Sequence, residues 1–250
     1  MVSIFTPSPP PLGILGGLGP FASAAFLNTI YELNCGVTEQ EMPRCILYSD
    51  PTIPDRTEAI ESGSPDRLIA HFRAAVAQLL EFGAGRIVIP CITIHHFLPA
   101  LPPSMQARIV SLIDITIDET ARLEKRQLML CTSGTRKARI FEGHPRWLLA
   151  QPYVVWPDAQ DQRRVHDWVY AVKRTGDIEG HIETAARLCE KYDASSLIAG
   201  CTELHLMTRA VQRDDRWNGT LAILDPLSVV SRRLGELLAT EEPRSRADCS

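Results

Sequence analysis

The chain has 250 residues, of which 45% are hydrophobic and 22% are charged, and its formal net charge is −4 at pH 7. This composition is typical of a soluble globular protein, and the negative charge does not favour binding to nucleic acid or to an anionic membrane. No apolar stretch reaches the about 18 residues that a transmembrane helix requires, and residues 1–11 lack the features of a signal peptide. The seven cysteines are odd in number and scattered, which indicates free thiols in a reducing cytoplasm.

Strand-like runs alternate with amphipathic helical stretches in the first half of the chain, as is typical of an α/β fold with mostly parallel sheets. We predict strands at residues 12–15, 44–49 and 87–90, and helices at residues 21–34 and 66–82. Pro20 suits the first position of the first helix, because its missing N–H has no partner there in any case. The second strand opens into a proline-containing loop at residues 50–57, where neither helix nor strand can continue.

The second half repeats this scheme. We predict strands at residues 128–130 and 196–199, with helices at residues 159–174 and 178–192. A further strand at 221–224 and a helix at 227–239 are expected to return and complete the first domain. The fold class is therefore two similar α/β domains related by a pseudo-twofold axis, formed by residues 1–113 with 216–250 and by residues 114–215. The polar tail from residue 240 onward is predicted to be disordered.

Two cysteines occupy matching positions in the two halves. Cys91 and Cys201 each follow a strand-like run, and each is followed by a threonine within two positions and a histidine four residues on. Ligands of parallel sheets bind where the strands end, and a helix N-terminus favours the thiolate form of a cysteine. A single buried cysteine is usually inert, but a repeated one predicts two thiols facing each other. Such a pair can remove a proton from one side of a carbon and return it to the other.

Other residues at these strand ends can bind a small carboxylate. The loop Gly16-Gly17-Leu18-Gly19 lacks a complete dinucleotide or P-loop motif, so it is either a tight turn or a backbone site for an anion. The segment Thr132-Ser133-Gly134-Thr135 either caps the following helix or adds hydroxyl groups to such a site.

Two cations are candidates for binding substrate carboxylates. Arg56 can bind a carboxylate in bidentate fashion, or form a salt bridge with Asp55 or Glu58. Lys173 near a helix end is either solvated or a partner for a second carboxylate. No cysteine and histidine spacing favours a metal site.

The paired histidines, His95 and His205, each follow a cysteine by one helical turn. They either tune the thiols as acid and base partners or serve packing and capping roles.

Together these residues resemble the aspartate/glutamate racemase superfamily, and its aspartate racemase branch most closely. The resemblance covers residues 12–237. The matching segments are GGLGP at 16–20, IPDRT at 53–57, IPCIT at 89–93, TSGT at 132–135, Asp161-Gln162, and GCTEL at 200–204. No single segment is specific, but the combination is.

The resemblance implies a site in a cleft between the two domains, and an isomerase that uses no cofactor and no metal. Cys91 and Cys201 would be the acid and base, while Arg56 and Lys173 would hold substrate carboxylates. The expected lining residues are Gly16, Gly17, Ile92, Thr93, Thr132, Ser133, Gly134, Thr135, Thr202 and Glu203. Family analogy also implies a homodimer. The expected activity is racemisation of an acidic amino acid, aspartate first and glutamate second.

The chain departs from the family pattern at one position beside the first cysteine. The usual Cys-Asn-Thr is Cys91-Ile92-Thr93 here, and isoleucine cannot donate the hydrogen bond of an asparagine amide. Ile94 also replaces a customary small residue, and His205 stands where proline is common. Two alternatives therefore stay open. One is a different isomerase or lyase reaction on a small carboxylate, as in maleate isomerases and arylmalonate decarboxylases. The other is a module that binds a carboxylate without catalysis.

Overall fold

The computed structural model describes residues 9–239, which contain two parallel β-sheets. The first sheet has the order β2-β1-β3 and the second has the order β5-β4-β6-β7. The strands are β1 (Leu12–Gly16), β2 (Cys45–Ser49), β3 (Arg86–Val88), β4 (Gln127–Leu130), β5 (Val154–Val155), β6 (Ser196–Ala199) and β7 (Ile223–Leu224). Every strand pair is parallel. In each sheet the first strand of its half lies between the next two, so the repeated architecture predicted from the sequence is confirmed.

Helices flank both sheets. They are α1 (Pro20–Leu33), α2 (Arg56–Ser62), α3 (Asp66–Glu81), α4 (Pro103–Gln106), α5 (Leu112–Leu123), α6 (Ser133–Lys137), α7 (Trp147–Ala150), α8 (Ala159–Thr175), α9 (Glu179–Lys191), α10 (Leu204–Arg213), α11 (Pro226–Arg232) and α12 (Leu234–Ala239). Pro20 occupies the start of α1 as predicted. A 3₁₀ helix, Thr93–Ala100, follows Cys91. No helix within residues 9–239 combines the length and apolar character needed to cross a lipid bilayer.

The segment at residues 221–239, which was expected to return to the first domain, does not follow the expected domain boundaries. Strand β7 was expected to complete the first domain, but it pairs with β6 of the second sheet, with Ile198 opposite Leu224. Both side chains join the same buried apolar cluster, which explains the pairing. Helix α11 does pack against α1 of the first half. The boundary expected at residue 113 falls inside α5. The tail predicted to be disordered lies outside the described residues.

The largest apolar cluster joins the two halves, and we call it the central core. Its side chains come from both sheets. Because alternate residues of a strand point to opposite faces, neighbouring residues of one strand belong to different clusters. Ile14 of β1 and Met129 of β4 point into it, whereas the adjacent Leu15 and Leu130 belong to separate outer clusters. Those outer clusters pack beneath α3 in the first half and beneath α8 and α9 in the second. The two sheets therefore share one apolar interior, and their strand ends converge beside it.

Candidate active site

The glycine loop after β1 makes two close approaches, one to a backbone segment and one to a side chain. Gly17 has φ +89°, and a Cβ there would lie 2.2 Å from the carbonyl carbon of Asp50. Such a conformation is strained for any residue with a side chain. A Cβ on Gly19 would lie 2.2 Å from Oε1 of Glu203. The loop of the first half is therefore in contact with the Cys201 segment of the second half. Gly16, also predicted in the site, ends β1 against Ser23.

Arg56 is fixed at the first residue of α2 beside this loop. Asp55 caps the helix by accepting a hydrogen bond from the Glu58 N–H at 3.0 Å. The Arg56 guanidinium donates to the Leu18 carbonyl at 2.7 Å and to the Pro54 carbonyl at 3.2 Å. Its Nε is buried and has no hydrogen-bond partner within residues 9–239. A buried donor that the protein itself leaves unpaired is suited to a ligand acceptor.

The cation at Arg56 faces negative or titratable groups. Burial lowers the pKa of Arg56, but Cys91, Asp55 and Glu203 raise it by more, so its net shift is upward. The Cys91 sulfur is the largest of these favourable influences. Arg56 is therefore a permanent positive charge at the first cysteine.

Both predicted catalytic cysteines are buried, each with 5% of its surface exposed. The Cys201 thiol donates a hydrogen bond to Oε2 of Glu203 at 2.8 Å. Burial raises the pKa of Cys201 well above its ordinary value, and Glu203 adds to this, whereas Lys173 opposes it. Cys91 lies near enough to contribute to the same shift. The two thiols thus belong to one electrostatic cluster.

Lys173 enters this cluster from α8 of the second half. Burial lowers the pKa of Lys173, but Glu203 and Cys201 raise it by more, so the net shift is upward. Its Nζ lies 4.5 Å from the centre of the Tyr170 ring, a distance at which an ammonium group is attracted to the aromatic face. The ammonium group therefore stays charged beside the aromatic ring.

Three predicted threonines form a buried hydroxyl cluster across the two halves. Thr93 Oγ1 lies 2.9 Å from Thr135 Oγ1 and 3.3 Å from Thr132 Oγ1, and the latter two lie 3.1 Å apart. Thr132 also caps α6 by accepting from the Thr135 N–H, as one interpretation of the sequence expected. Thr202 makes a second connection between the halves by donating to the Pro90 carbonyl at 2.8 Å.

The start of α6 packs closely on the start of α2. A Cβ on Gly134 would lie 2.5 Å from Oγ1 of Thr57, so the glycine allows the close packing. The Ser133 N–H donates to Nδ1 of His166 at 3.2 Å. These two predicted residues therefore hold α6, α2 and α8 together at the rim of the cluster.

Ile92 lies in the central core, although it was predicted to contact substrate. It is 2% exposed and packs in the apolar cluster that joins the sheets. Its backbone is helical, with φ −64° and ψ −46°, because the chain turns into the 3₁₀ helix at this residue. The side chain consequently points into the interior, and it supplies no polar group at the position where the resemblance implies an asparagine.

His95 is a packing residue. Its Nδ1 lies 2.9 Å from the Cys91 carbonyl oxygen, and its Nε2 accepts from the Leu112 N–H at 3.2 Å. Burial lowers the pKa of His95, which favours the neutral ring that these contacts require. The ring holds the backbone of the Cys91 loop against α5, and both of its nitrogens are occupied away from the thiol.

His205 also has both ring nitrogens occupied. Its Nδ1 lies 2.6 Å from Oδ2 of Asp225, and its Nε2 lies 2.9 Å from Oγ1 of Thr29. Burial raises the pKa of Asp225, but His205 and Ser228 lower it by more. This buried chain ties α10 to α1 and α11. The packing and capping interpretation thus fits both histidines.

The sequence did not single out the pair formed by Tyr170 and Asp55. The Tyr170 hydroxyl lies 3.0 Å from each carboxylate oxygen of Asp55. Burial raises the pKa of Tyr170 to about 12, with Asp55 adding to the rise. The pair joins α8, which carries Lys173, to the cap of α2, which carries Arg56. The signal available in the sequence is the spacing of Tyr170 and Lys173, since residues three apart share a helix face.

The Asp161-Gln162 segment is divided between two roles. Asp161 pairs with Lys191 and accepts from the Tyr192 hydroxyl, so it joins the first turn of α8 to the end of α9. Gln162 donates to the Cys131 carbonyl at 2.8 Å, next to the hydroxyl cluster. All six cysteines within residues 9–239 are free thiols.

Comparison with known proteins places this geometry in a family. The sequence profile of the Asp/Glu/hydantoin racemases matches residues 15–232. The chain belongs to the Asp/Glu/hydantoin racemase family. A broad specificity amino-acid racemase of Bacillus subtilis (strain 168), RacX, is 21% identical over 209 residues, covering 81% of this chain and 89% of the relative. The resemblance seen in the sequence is thus confirmed, and the chain is an isomerase of this family.

Solved structures of racemases share the fold. Picrophilus torridus aspartate racemase superposes with a TM-score of 0.75 at 22% identity, covering 91% of this chain and 94% of that one. Glutamate racemase from Campylobacter jejuni gives a TM-score of 0.57 at 18% identity, covering 90% and 84%. At these identities the likeness establishes the racemase fold, with its two α/β units.

Proposed function

We propose that the chain racemises or epimerises an acidic amino acid, aspartate first and glutamate second, by proton transfer between two cysteines without a cofactor. The observation that carries the proposal is the single buried cluster in which Cys91 and Cys201, one from each half, share their surroundings with Arg56, Lys173 and Glu203. A thiol base, a thiol acid and two cations are the groups that this reaction needs.

The difficulty of the reaction is the weak acidity of the Cα–H of an amino acid. One thiolate would take that proton, so that the C–H bond breaks and its electron pair moves into the carboxylate. Cations and N–H donors placed around the carboxylate stabilise the extra charge that develops there. Arg56 suits this role, because its buried Nε has no partner within the described residues. Lys173 would hold the second carboxylate of the substrate.

The second proton transfer inverts the centre. The opposite thiol would give its proton to the other face of the carbon, so that its S–H bond breaks as the new C–H bond forms. Both groups act on one bound substrate, which avoids a separate encounter for each transfer. The contacts Thr93–Thr135 and Thr202–Pro90 bridge the two halves next to the cysteines and would fix their separation.

One observation favours a second candidate, a different isomerase or lyase reaction on a small carboxylate. Ile92 is buried in the central core, so the site lacks the amide donor that the family supplies at this position. Without that donor, the negative charge of the intermediate must be stabilised by other groups. The relative in Bacillus is named for broad specificity, and the substrates tested should therefore include neutral and basic amino acids.

The test is proton NMR of L- and D-amino acids in D₂O with reduced protein. We expect the α-proton signal of aspartate or glutamate to disappear as deuterium replaces it. Cys91→Ala and Cys201→Ala should each slow the exchange by at least about 10³-fold, since each removes one acid–base group. Cys35→Ala removes an exposed thiol and is the matched control.

A panel in which no α-proton exchanges would refute the proposal, as would full activity in either variant. A product other than the enantiomer would select the second candidate. A homodimer and a cytoplasmic location are part of the same proposal, and sedimentation of the purified chain tests the former.

A further inference from the structure

A cavity of about 280 Å³ lies away from the cysteines, and we call it the floor cavity. Its walls come from four elements, represented by Leu123 of α5, Ser196 of β6, Leu224 of β7 and Val229 of α11. Ser196 is the first residue of β6, whereas Cys201 comes after the end of that strand. The floor cavity is therefore at the opposite end of the second sheet from the candidate active site.

Ser196 supplies a buried hydroxyl to the floor cavity. Only 6% of the residue is exposed, yet its Oγ has no hydrogen-bond partner within residues 9–239. Ser196 lies on the same face of β6 as Ile198, two residues on, and that face borders the central core. A buried hydroxyl that the protein itself leaves unpaired lowers stability. A ligand in the cavity would supply the missing partner.

Two neighbours of Ser196 also have unpaired polar atoms. Gln127 lies directly opposite Ser196 in the parallel pairing of β4 with β6, and its Oε1 has no partner in the part of the chain that the structure describes. The Gln127 amide donates to the Thr120 carbonyl at 3.3 Å, and the Thr120 hydroxyl lacks a partner in the same range of residues. Most buried polar atoms in proteins are paired. Three unpaired atoms on adjacent residues therefore mark this end of the cavity as a place for a polar ligand.

Positive charge predominates in the lining of the floor cavity. Lys125 and Arg232 are exposed at its edge, and neither has an ion-pair partner within residues 9–239. Arg122 pairs with Glu119 at 2.7 Å, so those two charges compensate each other. The remaining carboxylate, Asp225, is buried, and both of its oxygens already take part in hydrogen bonds. Two cations are therefore left for an anionic ligand.

We propose that the floor cavity binds a small oxyanion, that is, a phosphate or a carboxylate group. The Ser196 hydroxyl donates to one oxygen of the anion from the buried end, and Lys125 and Arg232 pair with it from the exposed end. Gln127 and Thr120 keep the surroundings of that hydroxyl polar. Water alone is the competing occupant, since it would satisfy the hydroxyl without using the two cations. The site is separate from the proposed racemisation and does not depend on it.

The test locates the anion by NMR. Backbone amide signals of ¹⁵N-labelled, reduced protein are followed while sodium phosphate replaces sodium chloride at constant ionic strength, which keeps screening of charges unchanged. We expect saturable shifts of the amides of Ser195, Ser196 and Ile223, which line the cavity. The amides of residues 132–135 report on the candidate active site in the same spectra. Phosphate bound beside Arg56 is thereby recognised separately.

Variants identify the groups that bind. Ser196→Ala removes the unpaired hydroxyl, and we expect the Kd for phosphate to rise about tenfold, as for loss of a hydrogen bond to a charged group. This variant should fold, because the hydroxyl has no hydrogen bond within residues 9–239 to lose. Lys125→Gln combined with Arg232→Gln should raise the Kd about fivefold. Arg67→Gln changes an exposed arginine of α3 and should leave the Kd unchanged.

Sodium acetate in a second titration distinguishes the two kinds of ligand. Saturation by phosphate alone would assign the floor cavity to phosphate groups, saturation by acetate alone to carboxylates, and saturation by both to oxyanions in general. Amides of the floor cavity that shift with neither anion would overturn the inference and leave water as the occupant. A Kd that is unchanged in Ser196→Ala and in the double variant would overturn it as well.

Discussion

The hydrogen bond between Tyr170 and Asp55 offers a direct test of how the two halves position the cations. Tyr170→Phe keeps the ring beside Lys173 and removes the hydroxyl that lies 3.0 Å from both carboxylate oxygens. Hydrogen bonds to charged groups contribute about 1.5–3 kcal/mol. Asp55 is partly exposed and keeps its bond from the Glu58 N–H. We therefore expect the lower end, a loss of about 1.5 kcal/mol in the free energy of unfolding.

We expect a loss of similar size in the stabilisation of the transition state, which is measured as kcat/KM. Asp55 caps the helix that begins at Arg56, and Tyr170 lies one turn before Lys173, so the pair sets the distance between the two cations. About 1.4 kcal/mol corresponds to a tenfold change in rate, and we expect kcat/KM of Tyr170→Phe to fall by about that factor. We expect part of the change in kcat, because Arg56 would stabilise charge that develops only as the proton leaves, and part in KM, because Lys173 would hold the second carboxylate in the ground state and the transition state alike.

A double-mutant cycle with Asp55→Ala decides whether the contact is responsible, since the loss of the α2 cap occurs with either residue at position 170 and cancels in the coupling energy. Urea unfolding gives the stabilities, and initial rates of α-proton exchange give kcat/KM. A coupling energy below about 0.3 kcal/mol would refute the reasoning, because residues that do not interact are additive within that range. Tyr153→Phe removes the hydroxyl of a partly exposed tyrosine elsewhere in the second half and is the matched control.

Two further predictions concern buried residues. Ile92→Asn introduces the asparagine that the resemblance implies but places its amide in the central core. We expect the free energy of unfolding, measured with urea, to fall by about 3 kcal/mol, against about 1 kcal/mol for Ile92→Val. A smaller loss for asparagine than for valine would contradict the core position. Asp225→Asn removes the buried carboxylate that contacts His205 Nδ1 at 2.6 Å and accepts from the Ser228 hydroxyl at 2.6 Å, and it should cost about 1.5–3 kcal/mol. The folded pKa of Asp225 lies below its ordinary 3.8, so its contribution is present above about pH 4 and lost as the pH falls through the folded pKa. Stability measured from pH 2 to 6 should therefore vary less in Asp225→Asn, and equal variation in both proteins would refute this.

Much of the fold could be predicted from local patterns. Strand β6 was predicted at its observed bounds, Ser196–Ala199, because a short run with three consecutive apolar residues between a helix and a glycine is typical of a buried parallel strand. Strand β7 was assigned to the wrong sheet. It has only two residues, and so short a strand carries no period that indicates which neighbour it pairs with.

The candidate site could be predicted as a set of residues but not as a set of contacts. Arg56, Cys91 and Cys201 follow from motifs at strand ends, where parallel sheets gather their ligand-binding residues. The pair of Tyr170 and Asp55 joins residues 115 apart in sequence, and a single sequence carries no direct signal for such a contact. The orientation of Ile92 depends on the backbone turn that follows the strand. The alternation of side chains between the two faces of a strand does not continue into that turn, so the sequence pattern could not predict this orientation.

The central core also constrains how a substrate reaches the cysteines. Its buried side chains come from both sheets, among them Ile14, Val88, Met129 and Ile198. Exposure of four such side chains to water costs about 6–12 kcal/mol, which is comparable to the whole stability of a typical domain. Wide hinge opening between the halves is therefore too rare to admit substrate. Under the proposed function, a substrate would therefore enter and leave through small movements between the halves, such as at the contact of the partly exposed Phe21 ring with Gly176 at the end of α8.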